Sequence, residues 1–515
     1  MNMFKKLSYL IILALAITAC DDVLDGLEPA TSVSGETVLS SEDGVNALRA
    51  SMYSKQRASF GYTTQYFVGP SAFADETRNR SGATRFDALN QAVGTSGTNG
   101  LGNWGATYNI VQDANLLIGA IEDGVLDDAT LAQYRGEAFA IRAMVMHNAV
   151  RTYGNDPSSP FFSDGDLGVV IRTEPTLDVS DADARPRATV NEVYDQILSD
   201  LAEAKTLLAG QNDDNTRVTE AFVDGLTARV NLYAGNYAAA ATAAQAGIAN
   251  APALVDSEGG VADMWFETRG DHPEALYKLV VDPNTEPIAG SNTNDGLAAY
   301  TSSQWVAQVP AQNLIDLFEA DDHRIGTFNE DGEYEGGWFQ PCFDGQTGTP
   351  VNGCGVVNSD ELSTAKWNGG NGNLSDNIPY MRTAELYLIL AEAEAKANGI
   401  AAGIPALNTL REARNASTYA ASDFANLEEF EDEILDERMR ELFVEGHRFY
   451  DLKRLGRDIP NAVNPDGDVL PIGNQEIKMR RDSYRLLARI PDGVISTSIV
   501  DGAEPLIIQN PGYSD

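Results

Sequence analysis

Residues 435–454 constrain the fold of this chain more than any other stretch, because two unlike stripes run along them at helical spacing. Leu435, Met439, Leu442, Gly446, Phe449 and Leu452 recur at steps of three and four and make an apolar face. Glu437, Glu441, Glu445 and Arg448 form a charged row beside it at the same steps. The spacing predicts one helix through Glu437–Arg454 with an apolar face to bury. Gly446 falls on that face, where a missing side chain lets another backbone come close.

Helical periodicity recurs upstream. Glu42 to Arg57, Trp104 to Ile121 and Ala129 to Tyr153 read as helices. The third is apolar nearly all round yet carries Glu137, Arg142 and His147. Thr189 is placed to cap the next helix, in which Val193, Ile197, Leu201, Ala204 and Leu208 keep a 3.6-residue period. Two segments resemble tetratricopeptide helix pairs. One runs Ala228, Leu232, Tyr233, Gly235, Tyr237, Ala240, Ala244; the other runs Ala384, Leu388, Ala391, Ala393, Ala395, Gly399, Ala406, Leu410. No strict repeat of about 34 residues runs through the chain, so these are embedded pairs and not a solenoid.

The motif order Glu437-Arg438, Glu441-Leu442, Glu445-Gly446-x-Arg448, Asp451-Leu452-x-Arg454 resembles the C-terminal signature of the SusD/RagB family of surface glycan-binding lipoproteins. The likeness extends to Arg187-Ala188-Thr189 with the helix after it, to Ile378–Glu385, to Ala406–Arg411 and to Gln509–Tyr513. It implies a mainly α fold: tetratricopeptide-like pairs as a scaffold, long irregular loops and a few short strands. It implies that Glu437, Arg438, Glu441, Glu445, Arg448, Asp451 and Arg454 are structural, a partly buried ion network bracing one helix against others. The function it implies is capture of glycans or other nutrients as the lid of a TonB-dependent outer-membrane transporter of the SusC type, with no cofactor and no catalysis.

The N-terminus fits a surface lipoprotein. Lys5 and Lys6 precede a short apolar stretch, Leu7 to Ile17, which ends in the lipobox-like Ile17-Thr18-Ala19-Cys20. Residues 1–19 read as a signal peptide, Cys20 as the lipidated residue, and 20–40 as a polar tether. Residues 41–515 then read as a single compact domain, with halves of about 41–255 and 256–515. Asp21 and Asp22 resemble a surface-export signal, and the family resemblance implies a location at the outer membrane, facing outward. With 36 basic and 76 acidic residues the formal charge is −40, which disfavours nucleic acid and anionic lipid headgroups as partners.

Chemistry of other kinds finds few footholds. The four histidines (His147, His272, His323, His447) are scattered without ligand-spaced partners, so no metal centre is expected. Asp321-Asp322-His323-Arg324 could hold a cation but reads better as structural capping. The carboxylate run from Glu428 to Glu437 reads as a solvated helix face, because a glycosidase needs two carboxylates set across a cleft. Cys342 and Cys354 flank a turn-rich polar loop, which outside the cytoplasm favours a disulfide.

What remains is aromatic and amide chemistry, suited to the flat faces and hydroxyl rims of sugars. It lies in long segments unlike the helices around them. One group is Tyr62, Tyr66 and Phe67 followed by Asp75, Arg78, Asn79 and Arg80. A second is Tyr300 and Trp305 near Asn292 and Asn294. A third is Tyr334, Trp338 and Phe339 beside Cys342. From these the ligand-contact candidates are Tyr62, Tyr66, Arg78, Asn79, Tyr300, Trp305, Tyr334 and Trp338. An aromatic taken alone is more often core than ligand; Trp104 and Trp367 are assigned to the core. The alternatives are a surface glycan-degrading enzyme and a protein-interaction scaffold built from the helix pairs.

Overall fold

The computed structural model describes residues 38–57, 64–79, 101–177, 183–265, 272–281, 297, 301, 308–328, 334–341, 362–367, 377–463, 477–500 and 503–513. The fold is mainly α. Its principal helices are α1 (Glu42–Arg57), α2 (Trp104–Gly119), α3 (Asp128–Tyr153), α4 (Val190–Leu207), α5 (Glu220–Ala234), α6 (Tyr237–Asn250), α7 (Thr383–Asn398), α8 (Ile400–Ala413), α9 (Leu427–Leu442) and α10 (Arg448–Arg454). Among the described residues ten short strands form five antiparallel pairs. These are β1 (Thr77–Asn79) with β3 (Gln308–Pro310), β2 (Ala275–Leu279) with β8 (Ile378–Arg382), β4 (Thr327–Phe328) with β5 (Tyr334–Glu335), β6 (Phe339–Pro341) with β7 (Leu362–Thr364), and β9 (Ile459–Pro460) with β10 (Ile477–Met479).

Local chemistry accounts for the helix starts. Thr189 and Glu192 form a reciprocal capping box at α4, the Glu192 N–H donating to Thr189 Oγ1 and the Thr189 N–H to Glu192 Oε2 at 2.8 Å. Asn103 and Asp127 cap α2 and α3 with their side-chain oxygens. The charged groups inside α3 are buried because each finds a partner on another helix: Glu137 takes Arg49 of α1, and Arg142 holds Asp200 of α4 through two hydrogen bonds of 2.6 and 2.7 Å. His147 lies edge-on to Tyr194 and Tyr233, and burial keeps its imidazole well below the usual range, hence neutral.

The two tetratricopeptide-like segments are α5–α6 and α7–α8, and α6 packs on α7 to join them. Small residues make this possible: Ala228, Ala240, Ala244 and Ala393 share a cluster with Leu232 and Ile389. The largest apolar cluster draws on residues from Leu39 to Ile507 and includes Trp104 and Trp367. Among the described residues no helix is long and apolar enough to cross a membrane.

The stretch Glu437–Arg454 departs from its expected form: it is two helices. α9 stops at Leu442, the chain turns through 443–447, and α10 starts at Arg448. Val444 and Gly446 have positive φ, 53° and 80°. Spacing could not reveal the break, because the three-and-four rhythm carries on across it. The reason lies elsewhere in the chain. Lys366 donates to the carbonyls of Glu441 and Phe443 at 2.7 and 3.1 Å, Trp367 donates to that of Val444 at 3.2 Å, and Glu76 accepts from the Val444 N–H at 3.1 Å. Backbone groups that a continuous helix would satisfy are thereby satisfied from outside.

Candidate functional site

Antiparallel pairing of β1 with β3 sets Asn79, the last residue of one strand, opposite Gln308, the first of the other. The chain beyond Asn79 and the chain before Gln308 therefore meet at one edge. A hydrogen bond from Gln308 Nε2 to Asn79 Oδ1 joins that edge, and Thr77 Oγ1 donates to Gln308 Oε1 at 3.0 Å one step inward. β3 packs against β7, and β7 pairs with β6 so that Pro341 faces Leu362. The three segments that carry the aromatic candidates thus share a base made of two small strand pairs.

The base rests on the turn between α9 and α10. Asp75 takes Arg448 through two hydrogen bonds of 2.8 and 3.0 Å, and the Glu76 carbonyl accepts from the Ala311 N–H at 2.9 Å. Behind the turn is a buried lattice of ions. Arg324 reaches Glu437 at 2.7 Å and Glu441 at 3.0 Å; Arg382 reaches Glu441 and Glu445 at 2.8 Å; Arg414 bridges Glu274 and Glu441 at 2.9 and 3.0 Å. Lys366 joins Glu445 at 2.7 Å. On the other face of α9, Asp451 holds Arg438 at 2.7 Å and Arg454 at 3.0 Å, and Arg454 runs on to Glu392 at 2.5 Å. Isolated buried charges would be costly; here each has opposite charges within hydrogen-bonding reach.

Several candidates change role in this geometry. Trp338 is fully buried and donates its indole N–H to the Val261 carbonyl at 2.7 Å. With Trp265 and Phe443 it boxes the Lys366 ammonium, whose distances to the three ring centres are 4.8, 5.3 and 3.9 Å. Burial pushes Lys366 down to about 8. Tyr66 is also buried, its hydroxyl 3.3 Å from Thr107 Oγ1, and Arg78 is buried in the β1–β3 pair. All three pack inward, as an aromatic or basic side chain in a loop-rich segment does whenever core lies beneath it. Asp75, grouped by sequence with the sugar-facing residues, is the partner of Arg448. Asn79 is half-buried at the joined edge, and Tyr334 lies in β5 opposite Phe328. Tyr62, Tyr300, Trp305 and the three cysteines, Cys20, Cys342 and Cys354, lie outside the described residues.

Asp322 caps the Arg324 backbone N–H and is the counter-ion of its guanidinium, accepting at 2.7–2.9 Å, a structural role in place of cation binding. Among the described residues no group of three His, Cys, Asp or Glu side chains could hold a metal. The carboxylate run divides: Glu428 and Asp432 face solvent with Arg457 across them, whereas Glu437 is buried among Arg324, Arg411 and Arg440. The solvated-face reading fails for Glu437. Lys366, Arg382, Arg414 and Glu274 were missed as the surroundings of Glu441 and Glu445; the signal in Ile378–Arg382 was present but did not reveal that its arginine points at α9.

One carboxyl under the base is out of balance. Glu76 is fully buried, and burial with Asp75 beside it outweighs Ser71, the Val444 N–H and Arg448, raising it to about 7. A raised carboxyl contributes stability that is complete below its unfolded value of about 4.5 and is lost as pH rises through about 7. Glu76→Gln keeps the acceptor for Val444 and removes the charge. It is expected to stabilise the protein by on the order of 2 kcal/mol more at pH 8 than at pH 5, read from denaturant midpoints. An equal gain at both pH values, or none, would refute this assignment.

Comparison with known proteins matches two family models to this chain: one described as SusD family over residues 340–513, and one described as "Starch-binding associating with outer membrane" over residues 22–232. The SusD-like protein P38 of Formosa agariphila is 27% identical over 512 residues, covering 92% of this chain and 97% of that protein. A SusD superfamily protein of Bacteroides thetaiotaomicron superposes with a TM-score of 0.71 at 23% identity, covering 92% of this chain and 100% of that one. A SusD-like carbohydrate binding protein of Bacteroides vulgatus does so at 0.68 and 20% identity, covering 88% and 96%.

Proposed function

This chain belongs to the SusD/RagB family, and from that premise we propose that it binds glycan at the cell surface as the non-catalytic lid of a TonB-dependent outer-membrane transporter. Carbohydrate binding and association with the outer membrane are properties of the family; the lid role, the SusC-like partner and the absence of catalysis are our reading. One observation carries it: three long aromatic-bearing segments share a base on the β1–β3 and β6–β7 pairs, and that base rests on a rigid buried ion lattice. Sites held by a stiff support present their contacts with little ordering cost. An enzyme would need two carboxylates open to a cleft, yet Glu437 and Glu441 are closed in by guanidinium groups.

In the same reading, Cys20 carries the lipid and the segment to residue 40 tethers a single domain that faces outward, which lets a lid swing while staying at the membrane. Cys342 and Cys354 form a disulfide that pins one of the three segments, and Tyr62, Asn79, Tyr300, Trp305 and Tyr334 remain the ligand contacts.

The test is a glycan array with the soluble chain that begins after Cys20, followed by Trp305→Ala on any sugar bound. A stacked ring is worth about 0.5–1.5 kcal/mol beyond its buried area, so affinity should fall about tenfold with the melting temperature unchanged. Binding to peptides and to no sugar, or turnover of a bound glycan, would overturn the proposal.

A further inference from the structure

Away from the strand pairs, a cavity of about 310 Å³ opens between the start of α2 and the C-terminal segment 494–507. One wall is aromatic: Trp104 and Tyr108 lie 5.3 Å apart, ring centre to ring centre, and the Tyr108 hydroxyl is fixed by donating to the Val170 carbonyl at 2.7 Å. Trp104 belongs to the core, yet it also lines this cavity. The facing rim is polar. Arg172 and Arg185 both grip Asp183, at 2.8 and 2.6 Å, and all three line the opening. Ile507 closes the far side.

The local charge runs against that of the chain. Two guanidinium groups face one carboxylate at the rim; Glu174 reaches Arg185 only at 3.9 Å and is largely exposed. Behind the wall sits a third cation, Arg187, whose charge acts on the Tyr108 hydroxyl. Arg187 is buried and donates to the carbonyls of Gly168, Tyr153, Leu167 and Ile508 and to Asn510, with no carboxylate partner among the described residues. A cationic pocket in a protein with 76 acidic and 36 basic residues selects anions from its surroundings. A volume of 310 Å³ is at the small end of ligand pockets, room for about one sugar ring.

We propose that this cavity is a second saccharide site, separate from the strand-pair base, which takes a pyranose ring bearing an anionic group, a carboxylate or a sulfate ester. The ring's C–H face packs on the Trp104–Tyr108 wall, and its anion is met by the forks of Arg172 and Arg185. The inference rests on the carbohydrate-binding reading and extends it to the class of glycan.

Ligand-observed saturation-transfer NMR on the soluble chain tests it, with D-glucuronate, D-glucose 6-sulfate and D-glucose as probes. At least one anionic sugar should bind about tenfold or more tightly than glucose; which one does distinguishes carboxylate from sulfate. Arg172→Gln with Arg185→Gln should remove that preference while leaving the melting temperature near that of the parent. Arg185→Gln alone, on the exposed rim, should weaken it in the same direction. Trp305→Ala, at the other site, should leave it intact. Equal binding of glucose, unchanged binding in the double variant, or no binding of any probe would overturn the inference. Displacement of glucuronate by acetate or inorganic sulfate at equal concentration would do so too, marking a plain anion site. Glycans bound on the array without any of these probes would sink this inference and leave the proposed function standing; an array with no sugar bound would sink that reading as well.

Discussion

Replacing Glu441 by alanine is expected to cost about 3–5 kcal/mol of stability, the loss seen when one member of a buried ion pair is removed and its partners are left uncompensated. The two Glu441 oxygens serve Arg324, Arg382 and Arg414, all three buried, so the deletion takes a counter-ion from three guanidinium groups at once and leaves them with Asp322 and Glu437, Glu445, and Glu274 respectively. The measurement is the denaturant midpoint of the soluble chain. Arg457→Ala is the control: two of its three carboxylate partners, Glu428 and Asp432, are exposed, the third, Glu431, stands off at 3.5 Å, and such pairs are worth about 0–1 kcal/mol. The pH dependence has a definite sign. Burial pushes the Glu441 carboxyl up, but Arg414, Arg382 and Arg324 outweigh it and hold it well below the usual carboxylate range. Its contribution is therefore present above the unfolded value of about 4.5 and is lost only as pH falls through the depressed folded value. The gap between parent and Glu441→Ala should be full at neutral pH and narrow in acid. A loss under about 1 kcal/mol, or a gap that widens in acid, would mean that the lattice is not what holds α9.

What a periodicity can report is which residues share a face, and that much of the fold was legible. α1 has the bounds its stripe implied, the Thr189 cap is a full capping box, and both alanine-rich segments are helix pairs. The lattice was not legible, because its partners are distant in the chain: Lys366 meets Glu445 across 79 residues and Asp75 meets Arg448 across 373. The break after Leu442 was hidden for the same reason, since the groups that satisfy its open carbonyls come from residues 366 and 367. Of the candidate contacts, residue type indicated the segments and not the burial of each side chain. Residue type marked three segments, and strand pairing gathers their ends. Residue type could not separate a tryptophan that faces a ligand from one that boxes a buried lysine, and Trp338 is the second kind.

Gly446 is where the legible and the hidden parts of the signature meet. Its place on the apolar stripe implied that another backbone comes near; the structure identifies that backbone as residues 66 and 67. A β-carbon on Gly446 would lie 1.9 Å from the Tyr66 carbonyl oxygen and 3.0 Å from the Phe67 Cα. Neither atom is the end of a flexible side chain, so the segment leading to β1 or the α9–α10 turn has to move. The residue also has φ of 80°, a left-handed conformation that costs an L side chain about 1–2 kcal/mol. Gly446→Ala should thus lose more than the conformational strain alone, at least about 3 kcal/mol, a large share of the 5–15 kcal/mol that stabilises a typical domain. Gly210→Ala separates the two causes. Gly210 has φ of 78° and nothing within 4 Å of its would-be β-carbon, so that variant carries the positive-φ strain without the collision. If the close approach matters, Gly446→Ala melts well below Gly210→Ala, and whatever folded protein it yields binds glycan more weakly, because the displaced segment is the one that leads into Asn79. Equal melting temperatures for the two variants would show that the turn has room to give, and that α10 does not fix the strand-pair base.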